Sequence, residues 1–160
     1  MKININETIK NIIELMWKEY ELIIIFSNEN LKEKDELASY GSMKVEKREK
    51  LEIIKINLDN INYYKKHSGV KETKLFVLLH EIGHFLLVKA KYIQKEIYAD
   101  LIAYFIMQEF ISELDFINVI SSISELIDFK SFSKIDENIK KDLKDISKLF
   151  VYKYKKFLKN

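Results

Sequence analysis

The sequence has no cysteine, no proline and only three glycines in 160 residues. Without thiols there is no disulfide framework, no thiolate zinc finger and no cysteine nucleophile. Without proline, and with little glycine, the chain has few means of building long irregular loops, which favours helices. Arginine is also scarce: Arg48 is the one arginine among 27 basic residues. Guanidinium forks carry most specific base reading, so a sequence-reading DNA binder is disfavoured and direct contact with nucleic acid is not expected. Neither sign of charge dominates. The 27 basic residues stand against 25 acidic ones, for a net charge of +2, too little to draw polyanions or anionic membranes strongly. Long apolar runs are missing too. Residues 22–26 are apolar, and residues 75–88 are broken by His80, Glu81 and His84. Neither run approaches the roughly 20 apolar residues of a membrane span. The first ten residues alternate polar and apolar and carry Glu7, unlike a signal peptide. These absences predict a soluble protein of a reducing compartment, most simply the cytoplasm, with no membrane partner.

What is present is a globular balance of 48% hydrophobic and 32% charged residues. The length predicts one domain over residues 1–160, with a core about residues 40–115 and flanking helices about 6–29 and 134–158. In the first helix Ile9, Ile12, Ile13, Met16, Trp17, Tyr20, Ile23 and Ile24 recur at steps of three and four, and Asn6 or Thr8 offers a cap. Residues 37–43 read as a loop. From residue 51 the period falls to two: Ile54, Ile56 and Leu58 alternate with Lys55, Asn57 and Asp59, which predicts a strand. Residues 43–47 offer a short partner strand, and residues 60–69 a polar loop. Helical spacing returns at 71–91, 96–114 and 115–127, and again over 134–158. The predicted class is α+β, mostly helical, with a small antiparallel or mixed sheet packed on the helices of the second half. Trp17, Tyr152, Tyr154 and Phe157 are read as core.

Two of the three histidines stand in His80-Glu81-Ile82-Gly83-His84. On a helix, residues four apart lie about 40° apart around the axis and about 6 Å along it. Both imidazoles can therefore grip one ion, and zinc suits that donor pair. Glu81 can reach water at the ion's open position and act as general base. Left without a metal inside an apolar helix, these polar groups would each cost roughly 1–3 kcal/mol. Gly83 within that helix suggests close approach of a neighbouring backbone.

A catalytic zinc commonly takes three protein ligands. Position 90 is Ala where the longer three-histidine pattern needs His, so the third ligand must be a carboxylate. Glu96 is the best candidate, with Asp100 four residues on to accept the Nδ1–H of a ligand histidine. Glu109 is the fallback. For Glu96 to return to the histidines the chain must reverse within residues 85–95, most plausibly at 89–95. Tyr63, Tyr64, His67, Tyr92 and Tyr98 are all conceivable donors to an oxyanion, and the sequence does not choose among them.

The run His80-Glu81-Ile82-Gly83-His84, followed by Glu96-Ile97-Tyr98-Ala99-Asp100-Leu101-Ile102-Ala103, resembles the gluzincin metallopeptidases and is most similar to the ImmA/IrrE family. The likeness covers about residues 40–115. It departs after the ligand helix, where the family often has Leu-Leu-Met-Pro and this chain has Phe105-Ile106-Met107-Gln108. The resemblance implies that His80, His84 and Glu96 bind zinc, Glu81 is the base and Asp100 orients His80. It also implies a cytoplasmic endopeptidase making limited cuts in a specific protein, often a transcriptional repressor of a phage or mobile element. The strand with Ile54, Ile56 and Leu58 would then edge the cleft and take an extended peptide by strand addition. The alternative is a catalytically silent protein-binding module on the same scaffold.

Overall fold

The computed structural model describes residues 4–28, 36–43, 51–65 and 69–160. The fold is α+β and mostly helical, with one three-stranded mixed sheet. Helix α1 (Ile5–Tyr20) packs Ile9, Ile12, Leu15 and Met16 inward. Its cap is Asn4, whose side chain accepts the Glu7 N–H, in place of the expected Asn6 or Thr8. The helix predicted to reach residue 29 ends nine residues early. Glu21 adopts the left-handed conformation at φ 53°, and strand β1 (Ile23–Ser27) follows. Ile23, Ile24 and Ile25 fit a helical stripe by spacing, but three consecutive β-branched side chains favour a strand once the turn has broken the helix.

Strand β3 (Leu51–Asn57) holds the middle of the sheet, parallel to β1 and antiparallel to β2 (Ala38–Met43). The strand reading of residues 51–57 is borne out, whereas three neighbouring expectations are corrected. Residues 38–43 form β2, not a loop. The segment Ala-Ser-Tyr-Gly-Ser-Met lacks apolar alternation, and backbone pairing with β3, from Ala38 opposite Ile56 to Met43 opposite Leu51, makes it a strand. Residues beyond Met43 in the predicted partner strand over 43–47 lie outside the described residues. Leu58 belongs to helix α2 (Leu58–Tyr64), not to the strand, and residues 60–64, read as the start of a polar loop, belong to the same helix. Asn57 ends β3 and caps α2 by accepting the Asn60 N–H at 3.1 Å.

The second half is helical: α3 (Val70–Lys89), α4 (Glu96–Phe110), α5 (Glu113–Ile123), a 3₁₀ turn (Ser124–Leu126), α6 (Phe129–Phe132) and α7 (Glu137–Lys159). The central helix α3 is apolar almost all round, and it buries Leu75, Leu78, Leu79, Ile82, Phe85 and Leu87 in one core shared with α1, β3, α4 and α7. Asp136 caps α7 by accepting the N–H groups of Asn138 and Ile139. Of the aromatics read as core, Tyr154 is buried, but Trp17 is 54% and Tyr152 64% exposed. No helix among the described residues is long and apolar enough to cross a membrane.

Candidate metal centre

Helix α3 supplies His80, Glu81 and His84, and α4 supplies Glu96 and Asp100. Two local features bring these helices together. The first is the reversal, which falls where the sequence required it. Lys91 takes the left-handed conformation at φ 54°. Its N–H bonds the Val88 carbonyl, and the Tyr92 N–H bonds the Leu87 carbonyl. That is a Schellman ending with lysine in the place usually held by glycine, which is why no glycine marked it. The second is Gly83. A Cβ built there would stand 2.9 Å from the Ala99 carbonyl oxygen and 3.1 Å from its Cα. The two helices touch backbone to backbone one residue before Asp100.

The expected ligands converge. His80 Nε2 lies 2.9 Å from one Glu96 oxygen and His84 Nε2 lies 3.2 Å from the other. One ligand atom from each of the three residues lies within 4.8 Å of the other two, a group that could hold a metal ion. Glu109, the fallback, is exposed and outside this group. Asp100 sits 2.6 Å from His80 Nδ1, in the place the second carboxylate was expected to fill. Its oxygen can accept Nδ1–H, orient the ring and direct Nε2 toward Glu96.

The charges suit that arrangement. Burial disfavours a charge on His80, but the Asp100 hydrogen bond and the carboxylates of Asp100, Glu81 and Glu96 outweigh it and hold the imidazole above its ordinary pKa. For Glu96 burial acts upward, and the two histidines outweigh it and hold the carboxyl below its ordinary range. Glu81 is only 8% exposed. Burial raises its pKa, the histidines oppose the rise, and Glu96 and Glu36 add to it. A buried carboxyl with an elevated pKa beside two imidazoles can take up and return a proton. The 81% exposed Glu96 side chain leaves the centre open to solvent.

One neighbour of the candidate ligands escaped the sequence reading. Gln94, in the turn before α4, places its amide 3.1 Å from His84 Nδ1. With its oxygen toward the ring it accepts Nδ1–H and leaves the Nε2 lone pair free for an ion. With its nitrogen toward the ring it donates to Nδ1, and the ring proton then sits on Nε2, facing Glu96. The amide's other neighbours favour the nitrogen-inward orientation, in which it also donates to the His84 carbonyl at 3.3 Å and accepts the Val88 N–H at 3.1 Å, whereas a metal on Nε2 would require the oxygen-inward one. A glutamine two residues before a ligand has no motif spacing to announce it. Gln94→Ala is expected to weaken metal affinity about 10–100-fold with little change in fold, read by competition titration against a chromophoric chelator.

The expected substrate edge is corrected. Ile54 and Ile56 are each 0% exposed and lie on the central strand, paired on both sides, so neither can accept another strand. The edge beside the centre is β2. Ala38, Glu81 and Glu96 line two adjoining hollows, one on the His80 side and one on the His84 side. None of Tyr63, Tyr92 and Tyr98 lines either hollow. Tyr92 donates to Asp142, Tyr98 is buried and Tyr63 is exposed on α2. His67 and the side chain of Tyr64 lie outside the described residues. Tyr40 does line the cleft, but its hydroxyl donates to Glu52 at 2.7 Å. Burial and that bond push the phenol far above its ordinary pKa.

Compared with protein-family models, with curated proteins and with solved structures, the chain matches none.

Proposed function

We propose that this chain is a zinc-dependent endopeptidase of the HExxH…E kind, similar to the ImmA/IrrE family, that makes limited cuts in a protein partner such as a transcriptional repressor. The observation that carries the reading is the convergence of His80, His84 and Glu96 beside the buried Glu81 and in front of the edge strand β2. Two imidazoles and one carboxylate are a common protein donor set for catalytic zinc. Ligand atoms bound to one tetrahedral zinc at about 2.0–2.1 Å stand roughly 3.3 Å apart. The histidine nitrogens stand 2.9 and 3.2 Å from the two different Glu96 oxygens, and one ligand atom from each residue lies within 4.8 Å of the others, so closing on one ion calls for side-chain adjustment within the cluster. Zinc held there would supply Lewis acidity, acidifying water and polarising a peptide carbonyl.

The chain's own residues do the rest. Asp100 and Gln94 hold the two rings in register. Glu81 takes a proton from the attacking water as the carbon–oxygen bond forms, then gives it to the amine nitrogen as the carbon–nitrogen bond breaks. Among the described residues the outer edge of β2 has no paired strand, and an extended peptide could add there. This edge takes the role first expected of Ile54, Ile56 and Leu58.

The test is metal analysis joined to peptide cleavage. The purified chain is expected to carry one zinc and to cut members of a mixed peptide library. A strong chelator should stop cleavage, and added zinc should restore it. A chain that holds no zinc, or cleavage indifferent to the chelator, would overturn the reading.

A further inference from the structure

We infer that the outward face of α7 docks on an anionic lipid surface. This goes beyond the zinc reading and does not depend on it. The expectation of no membrane partner rests on a whole-chain charge of +2, and that figure averages over an uneven distribution. Residues 146–160 hold five lysines and no acid. At about 100° per residue, Lys141, Lys144, Lys148, Tyr152, Lys155 and Lys159 fall within one arc of about 80° around the helix. All of them are exposed, and they extend along about 27 Å of α7. The opposite face buries Leu143, Phe150 and Tyr154 in the core, which fixes the lysine arc toward solvent. Asp145 is the one acid at the border of the arc.

Two features separate this face from an ordinary solvated one. First, its lysines are not neutralised. Among the described residues, none of the arc's lysines forms an ion pair with an acid, and the α7 pair joins Lys140 to Glu137 instead. Lys144 lies over the Phe105 ring, a contact that leaves its charge in place. Lys144 and Lys148, like Lys155 and Lys159, are equal charges four residues apart, which repel and weaken the helix. An anionic layer laid along the helix would relieve that repulsion. Second, two large side chains project among the charges instead of packing: Tyr152 is 64% exposed and Leu149, beside the arc, 57%. A phenol and an aliphatic group suit the boundary between headgroups and acyl chains, with lysine stems reaching up to the phosphates. A cluster of roughly four to eight basic residues on one helix face is a mark of binding to acidic headgroups. Shape favours a bilayer over a nucleic acid. A helix is a convex ridge, and a flat surface meets all the ammonium groups at once. Nor does α7 carry an arginine to fork onto phosphates or base edges.

The test is co-sedimentation of the full chain with vesicles. Phosphatidylcholine vesicles with about one-third phosphatidylserine should bind it at least about a hundredfold more tightly than phosphatidylcholine alone. Raising the salt from about 0.1 M to about 1 M should release most of the bound chain. Lys148→Gln with Lys155→Gln should weaken binding about 30-fold, since each lysine near an anionic surface contributes about a factor of five. Glutamine is a good helix former, and circular dichroism checks that the helix is kept. Lys10→Gln with Lys71→Gln, exposed on α1 and α3, changes the net charge equally and should leave binding within about twofold. Tyr152→Ser should weaken binding several-fold at constant charge. Failure to sediment with the anionic vesicles overturns the inference, as does an equal loss in the two lysine pairs. A chain that binds duplex DNA or an acidic peptide through this face, and leaves anionic vesicles alone, overturns it too. Vesicle binding should be the same with and without a strong chelator, so this inference and the zinc reading fail separately.

Discussion

Glu81→Gln is expected to keep one zinc per chain while lowering the turnover of any peptide the native chain cuts by about 10²–10⁴-fold. Glutamine is nearly isosteric with glutamate and touches neither imidazole as a ligand, so the three converging donors remain. What it removes is the capacity to hold a proton. Burial raises the Glu81 carboxyl while the two histidines draw it back down, a balance that keeps a buried acid available for proton exchange. The amide has no such equilibrium. Atomic absorption gives the metal content, and single-turnover assays on the best library peptide give the rate. Unchanged cleavage by a zinc-loaded variant would remove Glu81 from the role of base. Loss of zinc along with activity would instead assign it to holding the site together.

The second large effect is expected at Gly83, through packing alone. Gly83→Ala sets two opposing terms against each other. Alanine within a helix is worth about 0.5–1 kcal/mol over glycine. Against this, the new methyl would meet the Ala99 carbonyl oxygen at 2.9 Å and its Cα at 3.1 Å, both backbone atoms that cannot rotate away. Overpacking of this kind costs about 1–3 kcal/mol, so the net change is expected to be destabilising. The displaced partner lies beside Asp100, so α4 would carry both Asp100 and Glu96 away from the histidines, and zinc affinity should fall by about 10–100-fold. Gly41→Ala is the control. A Cβ there meets nothing within 4 Å, and a change within about 0.5 kcal/mol is expected. Urea midpoints and zinc titrations on both variants separate the outcomes. A Gly83→Ala chain as stable and as zinc-avid as the native one would show that the helices part without cost.

Much of the centre was readable because its information is local. His80, Glu81 and His84 lie on one helical turn, where side-chain chemistry and the helical period place them without reference to the rest of the chain. Glu96 and Asp100 repeat the same four-residue step on the next helix. The need for a reversal between the two helices followed from the demand that both reach one ion. Its chemistry did not, since Lys91 in a left-handed conformation carries no signature in composition. Gln94 was hidden for a similar reason: its role depends on where the turn delivers its amide, not on its spacing from Glu96.

The sheet shows the limit more sharply. Alternation along residues 51–57 announces a strand but is silent about its neighbours, since strand order depends on pairings between distant segments. The apolar side chains of Ile54 and Ile56 are fully buried, and their strand is the central one, flanked by β1 and β2. Ala38–Met43, with no pattern of its own, gained the edge through its pairing with β3. The residue chemistry of the candidate metal centre was therefore written in the order of side chains along two helices, because helical contacts span only three or four positions. The shape of the cleft, the identity of its edge strand and the partners of the two imidazoles came from packing, because they join segments whose proximity no local period records.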